Sequence, residues 1–201
     1  MVASDSQLPY DELMVAEATQ MKGLEGALAV KRWLESTTHL EFPFNAYEDE
    51  AQCTLMRLDG HKKRYDLTGF FLTAVRRPVV VESKNYSGVG NQPGDYVEYL
   101  ANAYSTTAQD IKTIGDTRRQ YFWVTTHPFS QTRWPELTGH EEVRRALQAH
   151  PEALNGEVID EELLRIVASR LWLFVMPGRC DELSLSRDEL QLVFAVLRRK
   201  V

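Results

Sequence analysis

The chain has 201 residues, 43% of them hydrophobic and 26% charged, which is enough apolar material for one sizeable core. A net charge of −6 argues against a protein that coats nucleic acid by bulk charge, and leaves only short basic runs such as His61–Arg64, Arg76–Arg77, Arg118–Arg119 and Arg198–Lys200. Two distant cysteines, Cys53 and Cys180, speak against a disulfide framework or a zinc site; no leader-like N-terminus and no apolar run of membrane-spanning length are evident, so the cytoplasm is the expected location and no membrane partner is expected.

Residues 1–10 are polar and read as loose chain. From Tyr10 to Glu35 the pattern is helical, with Gly23 as the place for a break. Leu24, Ala27, Leu28 and Leu34 fall broadly on one face, and Glu25 sits at the margin of that face. "STTHLEFPFNAY" reads as a loop leading into extended chain. Asp59-Gly60 is a tight-turn signal, so 51–58 and 62–73 are predicted to form a hairpin. "PVVVESK" is a third strand, rich in β-branched residues.

The loop "NYSGVGNQPGD" leads to a helix capped by Asp95 and stopping near Gly115, with Tyr96, Leu100, Ala103, Ile111 and Ile114 inward. "QYFWVTT" reads as a central strand, 140–149 and 160–170 as helices, and "LWLFVMP" as a further strand. Ser186 to Glu189 is a capping box that opens a last helix over 187–200. The order predicts an α/β fold: a mixed central sheet, an antiparallel meander followed by parallel additions, with helices on both faces. One domain over 1–201 is expected, with a core at about 20–126 that the C-terminal strand and helices of 140–201 extend.

Side chains alternate along a strand, so Val80, Glu82 and Lys84 share one face of "VVVESK", and Val79, Val81 and Ser83 the other. The valines place the start of the strand in a core; Glu82 and Lys84 open its end to something polar. Asp66, in the preceding predicted strand, is close enough to meet Glu82. Two carboxylates on one face repel unless a cation lies between them, and a hard ion such as Mg²⁺ or Mn²⁺ resolves that cost. Lys84 is then placed to orient a water or to neutralise charge building on a phosphate.

Asp66 followed by Glu82-Ser83-Lys84 at the end of an apolar strand resembles the signature of the PD-(D/E)XK nuclease superfamily, with a restriction-endonuclease-like core. The early helix with Glu25, in "GLEGALAVKRWL", is similar to that of the Mrr-type branch. Tyr65 departs from the pattern, standing where the superfamily's name expects proline. The resemblance implies Asp66 and Glu82 as metal ligands, the Ser83 carbonyl as a third, Lys84 as the water-orienting residue and Glu25 as an outer member. It implies an Mg²⁺- or Mn²⁺-dependent nuclease, endo- or exonucleolytic, on DNA rather than RNA, as a homodimer or with partner subunits. A prokaryotic defence or mobile-element complex would suit such a module. The bland alternative for Glu82 and Lys84 is a solvated surface pair of little energetic consequence. A non-catalytic binding or assembly subunit that keeps the nuclease fold is the functional alternative, and the acidic balance favours it. A hydrolase of small phosphate esters is a third.

Overall fold

A computed structural model describes residues 8–86, 88 and 90–198, and the side chains of those from residue 20 onward except Asp181. The loose segment expected at the N-terminus and the last residues of the final helix therefore fall mostly outside the described residues. Five strands form the main sheet in the order β1-β4-β5-β6-β7: β1 (Leu40–Asn45), β4 (Leu67–Phe71), β5 (Pro78–Lys84), β6 (Gln120–Thr125) and β7 (Leu171–Val175). Strand β4 runs antiparallel to both β1 and β5; β6 and β7 add in parallel. The α/β class and the mixed sheet are as the sequence predicts.

Two helices cover the two faces of β5. On one side α1 (Leu8–Thr37) sets Ala27, Val30 and Leu34 against Val79, Val81, Leu67 and Phe122. On the other, α2 (Gln92–Thr113) sets Tyr96, Tyr99 and Leu100 against Val80, Tyr121 and Trp123. All six residues of β6 are buried, as a central strand requires. Helices α3 (His140–Ala149) and α4 (Glu161–Ala168) extend the α2 layer. The last helix, α5 (Arg187–Leu197), opens with the predicted capping box and packs Leu190 and Phe194 on Leu72. Among the described residues no helix is long and apolar enough to cross a membrane.

Several local expectations are corrected. Helix α1 runs unbroken through Gly23, because that glycine serves a close approach rather than a break: a side chain there would collide with the Tyr47 hydroxyl. Leu28 is 39% exposed and lies off the buried face. "LEFPFN" is an edge strand, β1, and not a loop; Pro43 is accommodated where the register with β4 shifts between Glu41 and Phe44. The hairpin turn at Asp59-Gly60 is real, with Gly60 at φ +79°, but it joins the short strands β2 (Thr54–Met56) and β3 (Lys62–Arg64) in a small sheet of their own. The chain bends at Tyr65-Asp66 before β4 begins, so β4 pairs with β1 and β5. Helix α2 starts at Gln92, with Asp95 in its first turn rather than at its cap, and its last turn outruns the core: Ile111 and Ile114 are exposed.

Candidate functional site

Strand β5 is where the sheet changes character, with antiparallel β4 on one edge and parallel β6 on the other. On the β6 edge the ladder continues to Lys84. On the β4 edge it ends early, because the chain turns away at Asp66. The Asp66 amide donates to the Val81 carbonyl at 2.9 Å, and one step further the Asp66 carboxylate Oδ2 accepts from the Ser83 amide at 2.7 Å. A side chain thus takes over where the backbone ladder stops and meets the Ser83 N–H. The same bond fixes the Asp66 carboxylate beside the terminal residues of β5.

Glu82 is buried at 8% exposure, directly across from Trp123 in the ladder. Its Oε1 lies 3.2 Å from Lys84 Nζ, and its Oε2 lies 3.0 Å from Lys63 Nζ. The second contact is an ion pair without hydrogen-bond alignment, so Oε2 has no hydrogen bond. Lys84 is held from three sides: Glu82, Asp95 Oδ2 at 3.8 Å, and the Trp123 ring, whose centre is 5.4 Å from Nζ. Asp95 is itself fixed by the Tyr86 hydroxyl at 2.5 Å and the Asn91 amide at 2.7 Å.

The electrostatics follow from this crowding. Burial first, and then the charge of Glu82, raises the Asp66 carboxyl from an ordinary 3.8 to about 6; the Ser83 amide and the two lysines pull the other way. Burial disfavours the Lys84 ammonium, but Glu82, Tyr86 and Asp95 outweigh it and hold the group above its usual range. Burial also raises the Tyr47 hydroxyl, with Asp66 adding to it.

Of the residues singled out in the sequence, Asp66, Glu82, Ser83 and Lys84 come together at the end of β5. Glu25 does not join them by any hydrogen bond or ion pair. It is exposed on α1 and lines a neighbouring groove with Ser83, Lys84 and Asn85, at the C-terminal ends of β5 and β6. Lys63 and Asp95 were not assigned to the site from sequence. Alternation on a continuous strand would put Lys63 and Asp66 on opposite faces; the bend at Tyr65-Asp66 removes that parity.

Among the described residues no three His, Cys, Asp or Glu side chains form a ready-made metal cage. The available donors are two carboxylates, Asp66 and Glu82, with the Ser83 backbone. That set suits Mg²⁺ or Mn²⁺ better than a softer metal, since Mg²⁺ is commonly held by one or two carboxylates and keeps several waters. A buried Glu82 oxygen without a hydrogen bond, beside a carboxyl that its neighbour's charge disfavours, is a fit for a hard cation.

No family model matches this chain, and no curated protein matches it. Among solved structures it is similar to the Cap4 SAVED/CARF-domain containing receptor of Moraxella osloensis, at 10% identity and a TM-score of 0.39, over 88% of this chain. This chain spans 40% of the length of that receptor chain. A superposition so loose assigns neither fold nor activity to this chain.

Proposed function

We propose that this chain is a metal-dependent nuclease of the PD-(D/E)XK kind that hydrolyses phosphodiester bonds, in DNA rather than RNA. The observation that carries the reading is the convergence of the Asp66 carboxylate, the Glu82 carboxylate and the Lys84 ammonium at the end of one buried strand. Asp66 and Glu82 are the residues to hold Mg²⁺ or Mn²⁺, with the Ser83 carbonyl; Glu25 is an outer member only. When bound, the ion supplies charge to the phosphate and acidity to a water. Lys84, fixed by Glu82, Asp95 and Trp123, positions that water or meets charge developing on the phosphate. Asp95 and Tyr86 keep Lys84 aimed. A net charge of −6 requires that the polyanion be held by a local basic surface, by a second copy or by a partner subunit.

The test is incubation of the purified protein with plasmid, linear DNA, single strands and RNA, in Mg²⁺ and in Mn²⁺. Lys84→Met and Glu82→Gln should each lose on the order of a hundredfold in cleavage or more. Cutting that survives both substitutions refutes the assignment.

A second reading has its own observation. Both Glu82 oxygens already face lysines, so the cluster can balance its charge with no divalent ion, as a non-catalytic assembly subunit would need. Mn²⁺ separates the two: a nuclease gains thermal stability from it and loses that gain in Asp66→Asn, whereas an assembly subunit gains none.

A further inference from the structure

Lys63 is the unexpected cation of the site. It lies in the middle of β3, and its two neighbours on that strand, Lys62 and Arg64, are exposed, while Lys63 itself turns inward with a side chain only 20% exposed. Its ammonium stands 3.0 Å from Glu82 Oε2 and 5.3 Å from the centre of the Tyr65 ring. The two oxygens of one buried carboxylate therefore face two lysines from different elements. Asp66, the neighbouring carboxylate, is met by the Ser83 amide.

A divalent ion held between Asp66 and Glu82 would meet both ammoniums at close range. Like charges in a partly buried site cannot all keep such contacts. The two lysines differ in what holds them. Lys84 shares a strand with Glu82 and is also braced by Asp95 and Trp123. Lys63 has Glu82 and the face of Tyr65, on a hairpin whose strands pair only with each other.

We infer that Lys63 is an exchangeable counter-ion of Glu82: it holds the carboxylate while no divalent ion is bound, and gives it up when one binds. The inference rests on the reading of Asp66 and Glu82 as the metal pair. Its consequence is that metal loading frees an ammonium on the inward face of β3, at the edge of the site, where it would meet a nucleic-acid phosphate; Lys62 and Arg64 lie on that strand's exposed face. The hairpin would then couple metal occupancy to positive charge for the substrate.

The variant to make is Lys63→Met, which keeps an apolar stem over Tyr65 and removes the charge. In EDTA its melting temperature should fall below that of the wild type. With Mn²⁺ it should gain more than the wild type does, and direct Mn²⁺ titration by electron paramagnetic resonance should show about three- to tenfold tighter binding. A lysine with only a structural role lowers the melting temperature equally with and without Mn²⁺ and leaves the affinity unchanged, which overturns the inference; so does weaker Mn²⁺ binding in Lys63→Met. The two levels fail differently. Wild-type protein that binds no Mn²⁺ sinks the nuclease reading and the exchange together. Wild-type binding that is lost in Asp66→Asn yet unaltered in Lys63→Met sinks the exchange alone.

Discussion

Replacing Asp66 with asparagine separates the cost of a buried charge from the hydrogen bond that the side chain makes. The amide oxygen can still accept from the Ser83 amide, now 2.7 Å from Oδ2, so the end of the β4–β5 ladder stays capped. What disappears is ionisation. A carboxyl raised from 3.8 to about 6 binds its proton more tightly in the fold than in the unfolded chain. Its stabilising effect is therefore fully present below the unfolded value and is lost as pH rises through the folded one. The gap between 3.8 and 6 amounts to about 3 kcal/mol across the whole titration. Linkage places roughly 1 kcal/mol of that between pH 5 and pH 8. Asparagine does not titrate, so in EDTA the stability of Asp66→Asn relative to wild type should rise by about that amount from pH 5 to pH 8. Urea unfolding at four pH values measures it, and taking the difference between the two proteins cancels the other titrating groups they share. Added Mn²⁺ should oppose the trend, since only the wild type has the full carboxylate pair. A difference that is flat with pH, or that moves toward the wild type, would show that Asp66 is not held in a charge-disfavouring site.

Glu82→Gln should act in the opposite sense. It leaves Lys63 and Lys84 without the carboxylate between them, and urea unfolding at pH 7 in EDTA should show a loss of about 1–3 kcal/mol. The exposed face of β3 should contact nucleic-acid backbone: Lys62→Glu with Arg64→Glu should weaken DNA binding and reduce its logarithmic salt dependence by about two, as two lost phosphate contacts require; an unchanged slope removes the hairpin from the interface. Gly69→Ala should be severe, by about 3 kcal/mol or more in thermal or urea unfolding, because a side chain there would run into the Glu41 carbonyl on β1 and the Phe42 ring.

The parts of the fold that were legible in the sequence are those where one signal decides. Three β-branched residues before Glu82 mark β5, Asp59-Gly60 marks a turn, and Ser186 with Glu189 marks the start of α5. The parts that were not legible depend on a distant partner. Gly23 looks like a helix break until Tyr47 is seen against it. Pro43 looks like a loop until β1 proves to be the sheet's edge, where a missing N–H costs little. For the site, β5 alternation places Glu82 and Lys84, and proximity in the chain suggests Asp66. Lys63 needs the bend at Tyr65-Asp66, which follows from the hairpin closing on itself: the Tyr65 amide donates to the Cys53 carbonyl at 2.9 Å.

The two margins of the main sheet are unequally guarded. At β1, a proline and a shifted register deny an incoming strand a regular set of partners. At β7, five apolar residues, Leu171 to Val175, run without interruption, and Trp172 is 43% exposed. Misassembly between molecules, or recruitment of an extended peptide, would begin on that second margin, so behaviour at high concentration should depend on β7 rather than on the end of β5 that carries Glu82 and Lys84.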